Sequence, residues 1–273
     1  AGIVPQTGVA IEIPPLSGID PSETVDATPV ADALRKAIAA ASLILAPKLA
    51  IVVDGGGVLS LADMVADIRL DAVADGSAWL LSVGGDRRTA RPVAVLLVDR
   101  VIAGAMTVVA ALAAIGPAAR GRDLDAAALA TRLGGASEPA LSDAISSRPL
   151  GMYRIGVESV LGVAPAYGQM RADRLAAVVK DLTASGASEF RLAPHRTLLV
   201  RGLSEEALAI AQACAEREGF WCTDTAPGRT VSICAGAAGC ASASFDTHAV
   251  ADAVVAEAAG LLDGSVDVHI SGC

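Results

Sequence analysis

Runs of apolar residues, separated by glycine and proline, divide the chain into four predicted stretches, and the first covers residues 1–115. Strand-like and helix-like runs alternate there. A helix is predicted over 29–42, with Pro29 in its first turn, and strands are predicted over 48–57, 68–73 and 78–83. Residues 101–119 carry no charge, but their many alanines and glycines make the run weakly apolar, so we predict a buried helix rather than a membrane span.

Residues 116–150 are polar and broken by glycine and proline, so they are predicted to form a connector with one short helix. The third stretch, 151–226, has a more regular pattern. Its predicted elements, in chain order, are a strand over 153–164, an amphipathic helix over 172–185 ended by Gly186, strands over 189–193 and 197–202, a helix over 204–219 with Ser204 as N-cap, and a short strand over 220–223. The order βαββαβ is typical of a ferredoxin-like half domain.

The fourth stretch, 227–273, is predicted as a strand over 229–233, a helix over 247–262 and a strand over 266–270. Cys234 directly follows the first strand, and Cys273 comes shortly after the second. Because a βαβ unit brings the carboxyl ends of two parallel strands side by side, we expect these two cysteines to lie near each other.

Cys234 and Cys240 are separated by five residues, all of them alanine or glycine. Such a loop lets the backbone approach closely and donate N–H groups, as the sulfides of an iron–sulfur cluster require. Two alternatives are small buried thiols in an alanine-rich core and a zinc site, whose paired cysteines are usually two to four residues apart. Cys214 and Cys222 follow apolar patterns, so we expect both to be core residues.

Composition and charge narrow the possible partners. The chain is 53% hydrophobic but only 3% aromatic, with a net charge of -9, which disfavours nucleic acid and anionic membranes as partners. An acidic ligand would need a local basic pocket. No signal peptide is recognisable at the start, and the five cysteines are an odd number, so we expect reduced thiols and a cytoplasmic location.

The cysteine spacing, together with "HISGC" at 269–273, resembles the cluster motif of the sulfite and nitrite reductase family, and "EFRLAPHRTLLVRGL" at 189–203 resembles its second ferredoxin-like half. Within that family the closest resemblance is to the precorrin-3B synthases, monooxygenases of the aerobic cobalamin pathway. It rests on "PPLSGIDPSETVDATPVADAL" at 14–34, "LAPKLAIVVDGGGVLSLADMVADIRL" at 45–70 and "RTVSICAGAAGCASA" at 229–243.

The resemblance implies an α+β fold with a ferredoxin-like half domain and α/β cluster and catalytic domains. It implies a [4Fe-4S] cluster held by Cys234, Cys240, Cys273 and a fourth cysteine four residues further on, which this sequence does not contain. The family also begins with a first ferredoxin-like half, of which residues 1–10 could be only the tail. The resemblance therefore predicts that 1–115 is a reductase-like domain without a cluster motif, that 227–273 is a truncated cluster domain, and that the chain is part of a longer enzyme.

The implied reaction is O2-dependent hydroxylation of precorrin-3A, an anionic tetrapyrrole, with lactone formation. The substrate would take the place of sirohaem, so sirohaem is not expected. An electron donor is required, and the family is associated with a mononuclear non-haem iron. The scattered histidines, His195, His248 and His269, form no recognisable iron-binding motif with the carboxylates.

Carboxylates of the substrate call for basic residues in its pocket. Residues 191–201 supply Arg191, Arg196, Arg201 and His195, and of these Arg191 and Arg196 are the first candidates, because strand alternation sends the set to different faces. Ordinary surface arginine is the alternative. His195 could bind iron, although an isolated histidine near a turn is more often a polar residue whose hydrogen bonds are satisfied.

Lys48 matches a lysine of the reductases' anion site, but their second lysine is replaced by Ala50, which puts sulfite or nitrite reduction in doubt. Asp54, Gly55 and Gly56 follow a strand and are candidate substrate-binding residues, with a turn capped by Asp54 as the alternative. There are two weaker candidates for the substrate pocket, Arg69 and the run Asp86–Arg88. Both are expected to be solvated charges.

Two other functions remain open at this point. One is a sirohaem-dependent sulfite or nitrite reductase, which a sirohaem absorption band would reveal. The other is a non-catalytic subunit that only carries a cluster for electron transfer.

Overall fold

The computed structural model describes residues 8–135, 139–141 and 149–273. The chain forms two compact units, residues 1–147 and 148–273. The predicted domain boundaries near 115 and 226 lie inside these units, and the division into four domains stays a prediction.

The first unit is built on a five-stranded sheet in the order β1-β2-β3-β4-β5. Strands β1 to β3 are parallel, and β4 and β5 add antiparallel neighbours. The elements, in chain order, are β1 (Ala10–Glu12), α1 (Thr28–Ala41), β2 (Ala50–Asp54), β3 (Ala66–Ala72), β4 (Ala78–Gly85), β5 (Arg91–Leu97), α2 (Val101–Ile115) and α3 (Ala126–Leu133).

The core of this unit lies between the sheet and the helices. Ile51, Leu70 and Trp79 are fully buried in the same apolar cluster as Leu34 of α1 and Leu112 of α2. Every residue of β3 is buried. This explains why the strand has no solvent-facing row of unpaired polar side chains. The predicted buried helix is confirmed as α2, and the short helix expected in the connector is α3.

Two strands of this sheet were not predicted. Strand β1 has only three residues, which is too short for a recognisable alternation. Strand β5 contains Pro92, which is tolerated because β5 forms the edge of the sheet.

The second unit begins with an antiparallel sheet in the order β10-β7-β9-β8, with β6 also paired to β7. Its elements are β6 (Gly151–Ile155), β7 (Glu158–Pro165), α4 (Ala172–Ala184), β8 (Glu189–Ala193), β9 (Thr197–Leu203), α5 (Glu205–Arg217) and β10 (Phe220–Trp221). Both helices pack on this sheet, with Val178 and Leu182 of α4 and Ala211 of α5 in its core. The predicted α+β fold with a ferredoxin-like half is confirmed.

The single strand predicted over 153–164 is wrong in one respect. The segment is a hairpin of β6 and β7, and the chain turns at Gly156, whose φ of 59° is the left-handed conformation that glycine adopts without strain. The two pairs nearest the turn, Arg154 with Ser159 and Ile155 with Glu158, contain polar residues, but one glycine is a weak turn signal, so the pattern alone reads as one continuous strand.

The last segment of the chain is a βαβ unit, as predicted. Strand β11 (Val231–Ile233) pairs in parallel with β12 (Val268–Ile270), and between them lie a four-residue helix, α6 (Gly236–Gly239), and a longer one, α7 (Thr247–Glu257). Helix α7 ends earlier than predicted, and a single 3-10 turn over Ala259–Leu261 follows it. Asp246 caps α7 by accepting the N–H groups of His248 and Ala249.

Among the described residues, no helix is long and apolar enough to cross a membrane.

Candidate metal centre

Parallel pairing of β11 with β12 places the segments that carry Cys234 and Cys273 at the same edge of the βαβ unit. Ile233 lies opposite Ile270, and the N–H of Cys234 donates to the carbonyl of Ile270 at 3.1 Å. The ladder therefore continues up to Cys234 itself. The expected convergence of the strand ends is confirmed, and it depends on backbone pairing alone.

The thiol of Cys234 accepts two backbone hydrogen bonds. The N–H of Gly272 lies 3.2 Å from Sγ and that of Gly236 lies 3.4 Å away. These two donors, Gly272 foremost, lower the pKa of the Cys234 thiol because they stabilise its anion. We call the Cys234 sulfur with its two donors, Gly236 and Gly272, the cysteine cradle. A thiolate is the form that binds iron, so the cysteine cradle favours metal ligation.

Ser271 joins two of the predicted ligands. Its hydroxyl lies 3.4 Å from Sγ of Cys273, and its hydrogen bond to the Cys234 thiol also contributes to the lowered pKa there. Gly272, next to Cys273 in the chain, also contacts the Cys234 sulfur. The segment that carries Cys273 is therefore brought beside Cys234.

Cys240 lies at the end of α6, where its N–H donates to the carbonyl of Gly236 at 2.9 Å. The loop then turns back, and the N–H of Ser244 donates to the carbonyl of Gly272 at 2.7 Å. The buried hydroxyl of Thr247 closes the same loop by donating to the carbonyl of Cys234 at 2.9 Å. Cys240 thus belongs to a loop that is tied to both other cysteine segments.

Gly236 is required by this arrangement. Its φ is 57°, and a Cβ there would lie 2.5 Å from the hydroxyl oxygen of Thr247. The glycine therefore allows the close approach of loop and helix that positions its N–H at the Cys234 sulfur.

The residues around the three cysteines have features that fit an iron–sulfur cluster. Across the part of the chain that the structure describes, no group of three His, Cys, Asp or Glu side chains is arranged around one ion. In a cluster each thiolate binds a different iron atom, so the sulfurs are spread more widely, and backbone N–H groups donate to sulfur. The N–H donors, the convergent cysteine segments and the small residues match these requirements. Cluster ligation by Cys234, Cys240 and Cys273 stays a prediction.

Cys214 and Cys222 are core residues, as predicted. Cys214 is 6% exposed and Cys222 is 3% exposed. Burial, helped by the negative charge of Glu216, raises the pKa of Cys222 to about 12, so this thiol stays protonated and poorly suited to bind metal.

The predicted basic residues of the ferredoxin-like half fall into two groups. Arg191 donates to Glu189 at 2.7 Å, and Arg201 is paired with both Glu189 and Glu158, so these two guanidinium groups are held by carboxylates on the sheet. Arg196 lies in the turn between β8 and β9, is exposed, and forms no ion pair with any described residue. His195 occupies the same turn. Arg196 is thus the more available of the two first candidates, and both substrate roles stay predictions.

In the first unit, Lys48 is exposed, just before β2. Asp54 is 2% exposed, and its carboxylate accepts from the N–H groups of Gly56 and Leu61, both at 2.9 Å, and from the hydroxyl of Ser60 at 2.8 Å. Burial raises the pKa of Asp54, and these hydrogen bonds only partly offset it. The contacts support the alternative of a carboxylate that caps its own loop.

The glycines after Asp54 allow a close approach of the chain to itself. A Cβ on Gly55 would lie 1.8 Å from the carbonyl oxygen of Val25, and the carbonyl of Gly55 accepts from Thr24 at 2.9 Å. Gly56 forms a bridge with Glu23. The neighbouring loop already occupies the space that these glycines open. The substrate roles of Asp54, Gly55 and Gly56 stay predictions.

The expectation that Arg69 is a solvated charge is wrong. Arg69 is 0% exposed and forms a two-pronged pair with Asp71, at 2.7 and 3.1 Å. Its remaining N–H groups donate to the carbonyls of Leu61 and Met64, and Asp54 lies 3.8 Å away. The alternation of Asp67, Arg69 and Asp71 with apolar residues on one strand is the signal that could have revealed it, because residues two apart on a strand share a face.

The comparisons with known proteins agree with the sequence resemblance. No profile of a known protein family matches the chain. A curated protein from Sinorhizobium sp. named precorrin-3B synthase is 41% identical over 273 residues, covering 97% of this chain and 59% of that protein. The chain therefore spans about three-fifths of the length of this curated relative.

A solved structure of the NirA protein of Mycobacterium tuberculosis has the same fold. It superposes with a TM-score of 0.70 at 21% identity, over 96% of this chain and 54% of that one. This confirms the predicted sulfite/nitrite reductase-like fold.

Proposed function

We propose that this chain is the cluster-bearing part of an oxidoreductase of cobalamin biosynthesis that converts precorrin-3A to precorrin-3B. The observation that carries the proposal is the 41% identity to a precorrin-3B synthase along nearly the whole chain. The reaction is a monooxygenation with lactone closure. One oxygen atom of O2 enters the substrate, and the other leaves as water with two electrons and two protons from a reductant.

In this proposal the βαβ unit supplies the cluster site. Cys234, Cys240 and Cys273 would be ligands of a [4Fe-4S] cluster, which passes single electrons when bound. The N–H groups of Gly236 and Gly272 stabilise negative charge on the Cys234 sulfur, which favours iron binding. A mononuclear iron would need ligands other than these three cysteines.

Lys48 and Arg196 are proposed to bind carboxylates of the tetrapyrrole. Both are exposed cations, and a guanidinium matches a carboxylate in a two-pronged hydrogen bond. Arg191 is a weaker candidate because Glu189 already holds it. The alternative of sulfite or nitrite reduction lacks support at Ala50, since a methyl group stands where the second cation of the anion site would be.

The test uses the complete gene product, reconstituted anaerobically with iron and sulfide. It should convert precorrin-3A only when O2 and a reductant are both present, and with 18O2 the product mass should rise by one labelled oxygen atom. A product without label would refute the monooxygenase assignment. So would turnover of sulfite or nitrite without O2 at rates typical of enzymes, on the order of 1 s⁻¹ or more.

A variant separates substrate binding from cluster assembly. Lys48→Ala should weaken tetrapyrrole binding while leaving the visible spectrum of the cluster unchanged. Arg132→Ala, which removes a cation from the last turn of α3 in the same unit, is the matched control and should bind normally. Equal substrate affinity in Lys48→Ala would remove Lys48 from the site.

A further inference from the structure

A cleft in the second unit lies beside the turn that joins β8 to β9. Two adjoining cavities, of about 100 and 250 Å³, share the residues His195, Arg196, Arg229, Val231 and Asp267. We refer to them together as the Arg196–Arg229 cleft. No described cysteine lines either cavity, and Arg229 immediately precedes Thr230 and β11.

The backbone around the cleft is strained. Tyr167, His195 and Arg196 have φ values of 55°, 59° and 60°, and they are three of the four non-glycine residues with positive φ in the described parts of the chain. Such conformations cost free energy and persist where the surroundings impose them, often at ligand sites. Gly168 permits this geometry, because a Cβ there would lie 1.9 Å from Cδ of Arg196.

Two buried hydroxyls line the cleft without a partner. Thr197 is 2% exposed and Thr230 is 7% exposed, and neither Oγ1 forms a hydrogen bond to any described residue. Buried polar atoms are nearly always hydrogen-bonded in folded proteins. Thr197 begins β9 and Thr230 directly precedes β11, and one of these orphan hydroxyls belongs to the lining of each adjoining cavity, which favours a polar group there.

The charges of the cleft favour an anion. Arg196 has no carboxylate within ion-pair distance among the described residues, and Arg229 has only Asp224 at 3.7 Å. Asp267 also lines the cleft and partly offsets them. Asp224 and Asp267 together balance the two guanidinium charges, but Arg196 itself has no carboxylate partner among the described residues. This guanidinium, with the imidazole and the hydroxyl donors, favours a negatively charged group with several acceptor atoms.

We propose that the Arg196–Arg229 cleft binds one carboxylate side chain of the tetrapyrrole, with Arg196 and Arg229 as ion-pair partners and Thr197 and Thr230 as hydroxyl donors. This inference rests on the proposed function and extends it to three residues, Arg229, Thr197 and Thr230. The two adjoining cavities offer space for a short carboxylate arm. The ring would then lie outside the cleft.

The experiment titrates the complete protein with uroporphyrin, a polycarboxylate tetrapyrrole, followed by porphyrin fluorescence. Arg196→Gln and Arg229→Gln should each weaken binding about tenfold or more, as expected for loss of a charge-assisted hydrogen bond. Thr197→Val should weaken it severalfold. Arg171→Gln is the matched control, because Arg171 is 81% exposed and paired with Asp173 outside the cleft, and its affinity should not change.

Inorganic phosphate, titrated calorimetrically, distinguishes a free anion from a tetrapyrrole arm. If the arginine variants lose phosphate binding but keep the parent affinity for uroporphyrin, the cleft is a free-anion site and the proposal is overturned. The proposal is also overturned if neither the uroporphyrin titration nor the phosphate titration differs between the arginine variants and the parent protein. Because the side chain of Arg196 is exposed, Arg196→Gln keeps the test valid if Arg229→Gln does not fold.

Failure of the carboxylate subsite is distinguishable from failure of the proposed function. Absence of O2-dependent conversion together with cleft-dependent uroporphyrin binding would refute the reaction and leave the subsite standing. Normal conversion with unchanged uroporphyrin affinity in both arginine variants would refute the subsite alone.

Discussion

The backbone N–H of Gly272 lies 3.2 Å from the thiol sulfur of Cys234, although the two residues are separated by 38 positions in the chain. Parallel pairing of β11 with β12 creates this contact, because it brings the residue after one strand to the residues after the other. The sheet therefore brings the segment that carries this donor beside Cys234, and the loop after β12 directs the N–H to the sulfur. A thiolate at Cys234 is stabilised before any metal arrives.

This contact predicts an unusual pH dependence for the Cys234 thiol. In cluster-free protein, alkylation of Cys234 by iodoacetamide should reach its half-maximal rate below pH 9.0, the ordinary pKa of a cysteine thiol. The sign follows from the lowered pKa, because the reactive thiolate then forms at lower pH. Mass spectrometry of peptides labelled at a series of pH values measures it.

Cys222 provides the internal control for that titration. Since its pKa is raised to about 12 and its side chain is buried, it should remain unlabelled across the range in which Cys234 reacts. Equal labelling of the two thiols at pH 8 would contradict the geometry of the cradle.

The cluster assignment predicts a second pattern among the cysteines. Cys234→Ser, Cys240→Ser and Cys273→Ser should each lose most of the iron and visible absorbance of the reconstituted complete protein, because each removes a thiolate ligand. Cys214→Ala should retain both, since Cys214 is a core residue. Iron analysis and absorbance at a matched protein concentration distinguish the two groups. Full iron content in Cys240→Ser would remove that residue from the ligand set.

The cysteine cradle was largely predictable from the sequence. A strand, a helix and a second strand, with a cysteine after each strand, determine the side-by-side placement once parallel pairing is assumed. The hydroxyl of Ser271 and the two glycine N–H donors could not be predicted, because they depend on the path of the loop after each strand. The same is true of the hairpin at Gly156, where a single glycine within an apolar run gave too weak a signal for a turn.

The buried charges of the first unit were the least predictable feature. Arg69 and Asp71 lie on the same face of β3, but sequence alone does not say whether that face is covered. The carbonyls of Leu61 and Met64, which complete the shell around Arg69, come from a loop whose conformation depends on Asp54. The sequence leaves Gly55 open between a ligand role and a turn for a related reason, since close approach by a distant backbone segment and close approach by a macrocycle require the same glycine.

Gly55→Ala separates these two interpretations of the glycine. The added Cβ would lie 1.8 Å from the carbonyl oxygen of Val25, so the loop must shift, and we expect a loss of about 2–4 kcal/mol in the free energy of unfolding. Gly260→Ala is the matched control, because no atom lies within 4 Å of its added Cβ, and it should change stability by less than about 0.5 kcal/mol. Urea unfolding of both variants measures the difference. Unchanged stability in Gly55→Ala, with weakened tetrapyrrole binding, would favour the ligand role.

Asp67 makes the stability of the first unit depend on pH. Burial opposes its ionisation, but hydrogen bonds from Arg120, Gly121 and Ala50 outweigh burial and lower the pKa of the carboxyl below 3.8. The folded state therefore binds this proton more weakly than the unfolded state, so the stabilisation is complete above pH 3.8 and is lost as pH falls through the folded-state pKa. Asp67→Asn should lower stability at pH 7 and reduce the acid-induced loss. Thermal melts at a series of acidic pH values measure this. If the melting temperature of Asp67→Asn fell with pH as steeply as that of the parent protein, this account would be contradicted.

Arg69→Met tests the buried charge network directly. Removing the guanidinium leaves Asp71, and behind it Asp54, without a compensating charge in a site that is 0–3% exposed at the side chains, so the free energy of unfolding should fall by about 3–5 kcal/mol. Arg122→Met is the control in the same unit: its side chain is 79% exposed and 3.8 Å from Asp123, and such surface pairs contribute about 0–1 kcal/mol. Replacing Asp71 by Asn together with Arg69→Met should recover part of the loss, because the uncompensated carboxylate is then removed. Equal stability of the single and double variants would show that the cost is a packing defect rather than an unpaired charge.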